Sequence, residues 1–413
     1  MKLKRLHYGW VVALVGACIL VTNALLVFTF GVFLTPLTLE FGWERGALSG
    51  SFSMAVLIVG GLGILAGGLS DKYGARIVVT LGGIFLGIGF ALMSQISSLW
   101  HVYLIMGLIV GAGGSFTFVP VLSTIPRWFD KRVGTATGIT MAGFGLGGII
   151  SPFLAQWLIS SYGWRQSFII LGLITFIIVI PLAQLIKYSP QRIGLKPFGE
   201  GEIAEGGQHV NFVTEELSFT QAIKTSRFWI FCLLLFCFFY CEESIIVHII
   251  PHAGDIGITA IIAASILSFI AGISVIGRLG IGFVSDKVGS RLSLTACLSL
   301  ITFALICLLF IREIWMFYVF AVVFGLAYGG FVSLLAVVAA ELFGRKFLGS
   351  MLGGLFFVGL IGGAIGVPVS GTIFDITGDY RLAFSICTVL CAVAVILSIV
   401  LLKYKSKTVI LDE

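Results

Sequence analysis

The sequence predicts an all-α membrane protein of twelve transmembrane helices arranged as two six-helix halves, and three observations carry that prediction. Of 413 residues, 59% are hydrophobic, a further 53 are glycine and only 11% are charged, less than half the ~25% usual in soluble domains. A soluble globule cannot hide that much apolar surface. The apolar residues also fall into about a dozen continuous runs of ~20 residues or more, the length that crosses a ~30 Å hydrocarbon core as helix. Finally, the second half of the chain repeats the first.

Taken in order, the runs lie at 9–38, 47–69, 77–97, 99–125, 134–160, 165–187, 227–251, 257–285, 291–311, 314–342, 347–373 and 381–402. Short breaks marked by charge, Gly or Pro separate them. They are continuous rather than alternating, which excludes a membrane β-barrel and leaves helices as the backbone that satisfies its own hydrogen bonds in lipid. The first run follows Lys2, Lys4 and Arg5, yet it is far longer than a signal-peptide core and lacks an A-x-A cleavage site. It reads as the first span. Of the 25 Lys and Arg, twenty fall on the side of the N-terminus, and only Arg45, Arg165, Arg312 and Arg381 fall on the other. The positive-inside rule then places both termini in the cytoplasm of a multi-pass plasma-membrane protein, a bacterial inner membrane being the expected one. Topology thereby explains the net charge of +6, and no nucleic-acid partner is implied.

The repeat is visible in Gly67-Gly-Leu-Ser-Asp71-Lys72-Tyr-Gly74-Ala-Arg76, which returns 215 residues later as Gly282-Phe-Val-Ser-Asp286-Lys287-Val-Gly289-Ser-Arg291. Gly134, Gly138 and Gly147-Gly148 map onto Gly349, Gly353 and Gly362-Gly363, and Pro152 maps next to Pro368. The chain therefore divides into a six-helix half at 1–187, a cytoplasmic linker at 188–222 and a second six-helix half with its tail at 223–413. Pro190, Pro197, Gly199, Gly201 and Gly206 with Glu202, Glu205, Glu215 and Glu216 give the linker no spanning potential. All eight cysteines lie inside apolar runs, which suits packing rather than disulfides. The pairs Cys237/Cys241 and Cys387/Cys391 lack the other ligands zinc needs. No Gly-Lys phosphate loop, H-E-x-x-H or G-x-S-x-G motif occurs. Neither an enzyme nor a metal or cofactor site is expected.

Twelve spans, the Gly-x-Leu-x-Asp-Lys-x-Gly-x-Arg loop after span two and its echo after span eight resemble the major facilitator superfamily over the whole chain. Tyr8-Gly-Trp10, Arg127-Trp-Phe-Asp-Lys-Arg132, Tyr162-Gly-Trp-Arg165 and Gly277-Arg278 are similar to the monocarboxylate porter and oxalate/formate antiporter branch. The resemblance implies a rocker-switch carrier whose halves tilt about a central site. It further implies proton-coupled symport of a small monocarboxylate such as lactate, with an organic-anion exchanger of the oxalate/formate type as one alternative and a carrier-like sensor without flux as another. The partners expected are the monocarboxylate anion, a proton and the lipid bilayer, with the monomer as functional unit.

Polar groups inside the spans are few, and each is expensive: Arg at mid-membrane costs ~2.5–3.5 kcal/mol on insertion scales. Arg278 lies eight residues before Asp286, about 12 Å along a helix, and offers a carboxylate a planar fork of donors. The resemblance points to the same arginine; the bland alternative is a permanent ion pair with a span-seven glutamate. Oxalate-type members of the branch resemble carriers with a second cation in span eleven, whereas 347–373 here contains no Lys or Arg. One Arg suits one carboxylate. Span seven holds Glu242 and Glu243, about 100° apart on a helix, so one at most faces a cavity squarely; a proton-coupling role and simple neutralisation of Arg278 are both open. Eukaryotic relatives resemble carriers with an Asp four residues before the span-eight Arg and a Lys in span one. Here Ser274 stands at the first position and 9–39 has no Lys.

His248 and His252 are spaced to share a helical face and suit metal binding or a proton relay, with ordinary polar residues at the outer mouth as the favoured reading. Phe28, Thr117, Phe118, Tyr328 and Phe331 are candidate substrate contacts, with interhelical packing as the alternative use of Thr117 and Asn23. Asp71 with Arg76 or Arg127, and Asp286 with Arg291 or Arg345, are candidate cytoplasmic gates. Gly143 to Gly148 lacks the strand of a dinucleotide turn and reads as a helix-packing surface.

Overall fold

A computed structural model describes residues 7–129, 132–199, 217, 219–344 and 348–403, nearly all of them helical. In chain order these are α1 (Tyr8–Phe28), α2 (Phe30–Phe41), α3 (Arg45–Tyr73), α4 (Ala75–Met93) and α5 (Leu99–Val102), which passes through a π-helical stretch at Tyr103–Val110 into α6 (Gly111–Thr124). They continue with α7 (Val133–Leu185), α8 (Phe219–Ala222), α9 (Ser226–Asp255), α10 (Ala260–Val288), α11 (Ser290–Leu308), α12 (Ile314–Phe343), α13 (Leu348–Thr377) and α14 (Arg381–Leu402).

Eleven helical stretches among the described residues are long and apolar enough to cross a membrane. One of them, Thr135–Leu185, is 51 residues long and is broken at Gly163 (φ 78°, ψ 162°), so it comprises two spans and the total is twelve. The first span differs from the continuous helix expected at 9–38. It breaks at Thr29, whose hydroxyl donates to the Leu25 carbonyl at 2.7 Å, and continues as α2 to Phe41, where Gly42 ends it in the left-handed region at φ 67°.

The internal repeat is written into the backbone. Glycines with positive φ occur in pairs 215 residues apart: Gly42 and Gly257 (67° and 94°), Gly74 and Gly289 (91° and 98°), and Gly163 and Gly378 (78° and 78°). Helix packing repeats in the same register. A Cβ on Gly147 of α7 would lie 2.6 Å from the Val21 carbonyl oxygen of α1, and one on Gly362 of α13 would lie 2.2 Å from the Phe236 carbonyl oxygen of α9. Val21 and Phe236 are themselves 215 apart. Both seams are backbone-on-backbone contacts, which small residues permit and which substitute for the hydrophobic drive that lipid removes.

By contacts the chain forms two compact units, Met1–Ile203 with Ile249–Ser268, and Ala204–His248 with Phe269–Glu413. The first is built on α1 and α4 packed against α7, with α6 packed on α4, α3 and α1. Its buried cluster of Val15, Ile19, Leu20, Val79, Val121, Val179 and Ala183 fills the space between these helices. In the second unit α11 packs on α12 and α14.

Candidate functional site

The site in the second unit is set by glycines. A Cβ on Gly277 of α10 would lie 2.2 Å from the Leu326 carbonyl oxygen of α12; one on Gly325 would lie 2.7 Å from Ile270 O, and one on Gly329 would lie 1.9 Å from Ser274 O. Helices α10 and α12 therefore touch main chain to main chain over two turns. That contact fixes the residues beside it. Arg278, next to Gly277, places its Cζ 6.0 Å from the centroid of the Tyr328 ring, within cation–π range. Tyr328 is buried and stacks between Phe324 (6.2 Å) and Phe238 (6.5 Å), and Phe238 stacks on Phe331 at 3.8 Å. An aromatic wall from α9 and α12 thus backs the guanidinium.

Both α9 glutamates are buried, at 6% and 8% exposure, and they point to different neighbours. Glu242 has the Tyr328 hydroxyl and the Arg278 guanidinium as its electrostatic surroundings. Glu243 turns to α13: its Cγ lies 2.7 Å from where a Gly363 Cβ would stand, so Gly363 is the residue that makes room for it. Arg278 has no ion-pair partner within 4.0 Å among the described residues. Its buried Nε, the Glu242 Oε2 and the Glu243 Oε2 all lack hydrogen-bond partners. An unsatisfied buried polar group costs about 1–3 kcal/mol, more when charged. Three of them on neighbouring residues make this the most polar unsettled place in the unit, and its donors and acceptors suit a small anion and a proton.

His248, one turn farther along α9, is completely buried. Its Nε2 lies 2.8 Å from the Val367 carbonyl oxygen, which can only accept, so Nε2 carries the proton; Nδ1 then accepts from the Tyr380 hydroxyl at 3.0 Å. The ring ties α9 to α13 and to the turn before α14.

The first unit holds the other candidate contacts. Asn23 of α1 donates to Thr117 Oγ1 of α6 at 2.6 Å and to the Gly114 carbonyl at 3.0 Å, while Thr117 donates to Gly113 O at 2.9 Å. These bonds use both side chains to join α1 to α6. Phe28 and Phe118 both meet Phe144 of α7, at 5.7 and 6.0 Å.

Of the loop candidates, Asp71 accepts from Arg127 Nη2 at 2.9 Å and from the Tyr188 hydroxyl at 3.0 Å, and Arg127 lies 4.2 Å over the Tyr188 ring. Arg76 instead donates to Gln184 at 2.6 Å. Arg291 pairs with Glu341 at 3.2 Å. The Asp286 side chain and Arg345 lie outside the described residues. Sequence reasoning did not pick out Phe238, Tyr188 or Glu341, and it placed Gly363 in the repeat without linking it to Glu243. It also missed two acceptors, Glu40, which takes hydrogen bonds from Trp164 and Arg165, and Asp255, which takes both Arg45 Nη atoms at 2.7 and 2.8 Å. The repeat was the signal available for these: Glu40 and Asp255 are 215 residues apart.

Known proteins resemble the chain over most of its length. The family profile described as Major Facilitator Superfamily matches residues 16–313 and 281–410. Monocarboxylate transporter 13 of Rattus norvegicus is 28% identical over 385 residues, covering 91% of this chain and 85% of the relative. Monocarboxylate transporter 12 of Mus musculus is 24% identical over 418 residues, covering 96% and 85%. Among solved structures, a bacterial homolog of the human lysosomal transporter Spinster, in an inward-facing and occupied conformation, shares the fold with a TM-score of 0.73 at 16% identity, covering 94% of this chain and 96% of that one. The chain belongs to the major facilitator superfamily of membrane transporters.

Proposed function

We propose that the protein is a proton-coupled symporter of small monocarboxylates such as lactate, working by alternating access in a bacterial inner membrane with both termini in the cytoplasm. The observation that carries this reading is Arg278, whose buried Nε–H has no hydrogen-bond partner among the described residues, set against an aromatic wall and beside a buried carboxyl. A guanidinium fork binds a carboxylate through paired, charge-assisted hydrogen bonds. Tyr328 and Phe331 would face the short apolar body of the acid. Helix α13 contributes no Lys or Arg, so a second carboxylate would enter a low-dielectric site without a partner, at a cost of several kcal/mol. This favours lactate over oxalate. The relatives named as monocarboxylate transporters support the same substrate class.

Moving a monoanion with one proton is electroneutral. Transport should therefore follow the pH gradient and respond little to voltage, which otherwise acts at ~2.3 kcal/mol per charge per 100 mV. The test is uptake of labelled lactate into proteoliposomes under imposed pH gradients and imposed potentials. Uptake driven by voltage and indifferent to pH would reject symport. A strict requirement for substrate on the opposite face would replace it with exchange, and lactate binding without flux would replace it with sensing. Stronger competition by oxalate than by pyruvate or acetate would sink the monocarboxylate assignment.

A further inference from the structure

The two adjacent glutamates of α9 do not share one task. We propose that Glu242 is the coupling carboxylate, the counter-ion of Arg278 in the substrate-free carrier and the group that takes the proton when a substrate anion replaces it, whereas Glu243 keeps its proton throughout the cycle. This rests on the symport reading above and deepens it.

The inference follows from which groups face each carboxyl. Around Glu242 stand Arg278 from α10, the Tyr328 hydroxyl from α12 and Glu243 on its own helix. Around Glu243 the charged neighbour among the described residues is Glu242, and the Tyr328 hydroxyl of α12 is near it as well, but no cation is. The helix packed against it presents Gly363, and α13 carries no basic residue anywhere along its length. Arg227, the only Lys or Arg in α9, is sixteen residues away, about 24 Å along the helix. An ionised carboxylate without a cation costs several kcal/mol in such surroundings. With one cation present, one carboxylate is balanced, and its position assigns that role to Glu242.

Charge counting then gives the coupling. Arg278 with ionised Glu242 is neutral. Adding a monoanion leaves the site at minus one unless a carboxyl is protonated, and the carboxyl that loses its cation to the substrate is Glu242. Substrate and proton therefore load together and leave together, one for one. Glu243 has no cation to lose in either state. The Tyr328 hydroxyl, beside both Glu242 and Arg278, can donate to whichever carboxylate holds the guanidinium.

Purified full-length protein in proteoliposomes tests this through two readouts, lactate accumulation driven by an imposed proton gradient and lactate counterflow without one, together with lactate affinity in detergent as a function of pH. One-proton linkage predicts that wild-type affinity weakens about tenfold per pH unit on the alkaline side. Glu242→Gln should abolish gradient-driven accumulation, keep counterflow and bind lactate with an affinity flat in pH. Glu243→Gln should keep the wild-type accumulation ratio and pH slope even if it is slower. Accumulation retained by Glu242→Gln, or lost by Glu243→Gln with counterflow intact, would overturn the assignment. Should Glu242→Gln fold poorly, Glu242→Asp provides the second arm: the pH slope must persist, shifted along the pH axis, and a vanished slope would count against the proposal. Failure of the underlying reading is distinct, because wild-type protein would then itself show neither accumulation nor a pH-dependent affinity.

Discussion

The two halves of this chain are copies of one scaffold, yet their polar residues do opposite things. In the shared 215-residue register, Arg278, Glu242, Glu243 and Tyr328 of the second copy stand where the first has Gly63, Val27, Phe28 and Gly113. Conversely, Asn23 of the first copy stands where the second has Phe238. The first copy joins Asn23, Thr117 and Gly113 in a closed lock whose hydrogen bonds are made internally, and its buried side-chain polar atoms without a partner among the described residues are serine hydroxyls rather than charged groups. The second leaves Arg278 Nε and one oxygen of each glutamate without a partner. Duplication thus supplied two equivalent seams, Gly147 on Val21 and Gly362 on Phe236, while Arg278 and Tyr328 stand on a different contact of the second copy, that between α10 and α12 at Gly277 and Gly329. A satisfied buried group stabilises; an unsatisfied one is a standing cost that a ligand can relieve.

The largest expected effect breaks the second copy's chemistry. Arg278→Ala should lower lactate affinity by about 100-fold, in keeping with the 2–5 kcal/mol typical of truncating one side of a buried charge pair. It should also abolish lactate-induced thermal stabilisation. Arg278→Lys should recover less than a tenth of the loss, since an ammonium cannot form the paired fork. Because Arg278→Ala also strips Glu242 of its cation, adding Glu242→Gln should return the melting temperature toward wild type without restoring the lactate response. A lactate response that survives Arg278→Ala would locate the site elsewhere.

Next in size are the seams. Gly329→Ala would press a methyl to within 1.9 Å of the Ser274 carbonyl oxygen, and overpacking of this kind costs about 1–3 kcal/mol. Thermal unfolding should show a fall in melting temperature for Gly329→Ala, Gly147→Ala and Gly362→Ala. Gly353→Ala, where a Cβ meets nothing within 4 Å, should be silent. Only Gly329→Ala should also move lactate affinity, because its seam alone carries Arg278 and Tyr328. Equal affinity changes in all three would mean the halves are not specialised as described.

The lock in the first copy gives a smaller effect. Thr117→Val removes an acceptor for Asn23 and a donor to Gly113, and should cost about 1 kcal/mol or somewhat more of stability while leaving the pH slope of lactate affinity intact. A changed slope would return Thr117 to the substrate contacts.

How far these differences were legible in the sequence depends on their physics. Spans stand out because lipid demands ~20 apolar residues for each crossing, and ionisable residues such as Arg278 and Glu242 stand out against that background. Gly163 announced its break through the Tyr-Gly-Trp-Arg run. By contrast, the 3.8 Å stacking of Phe238 on Phe331 depends on which of 36 phenylalanines face one another, and periodicity in an all-apolar helix does not say. Thr117 reads equally as a ligand or a lock until its tertiary partner is known. Glu243 and Glu242 are indistinguishable by type and neighbourhood in the chain; only the helices packed on either side separate them.

The smallest thermodynamic effect belongs to the loop ends, where Arg76 takes Gln184 and its counterpart Arg291 takes Glu341, and where Asp71 takes Arg127 and Tyr188. The Asp71 and Arg127 side chains are 59% and 38% exposed, so their ion pair contributes no more than about 1 kcal/mol, and Asp71→Asn should leave the melting temperature nearly unchanged. If these groups nevertheless gate the cycle, the variant should bind lactate as wild type does and turn over several-fold more slowly, because the pair would be made in some states and broken in others. Raising the salt concentration should slow wild-type turnover toward that of the variant, since exposed pairs are screened within ~10 Å at 0.1 M. Wild-type turnover in Asp71→Asn would instead make the contact with Arg127 and Tyr188 a fixed brace at the ends of α3 and α7 with no part in the cycle.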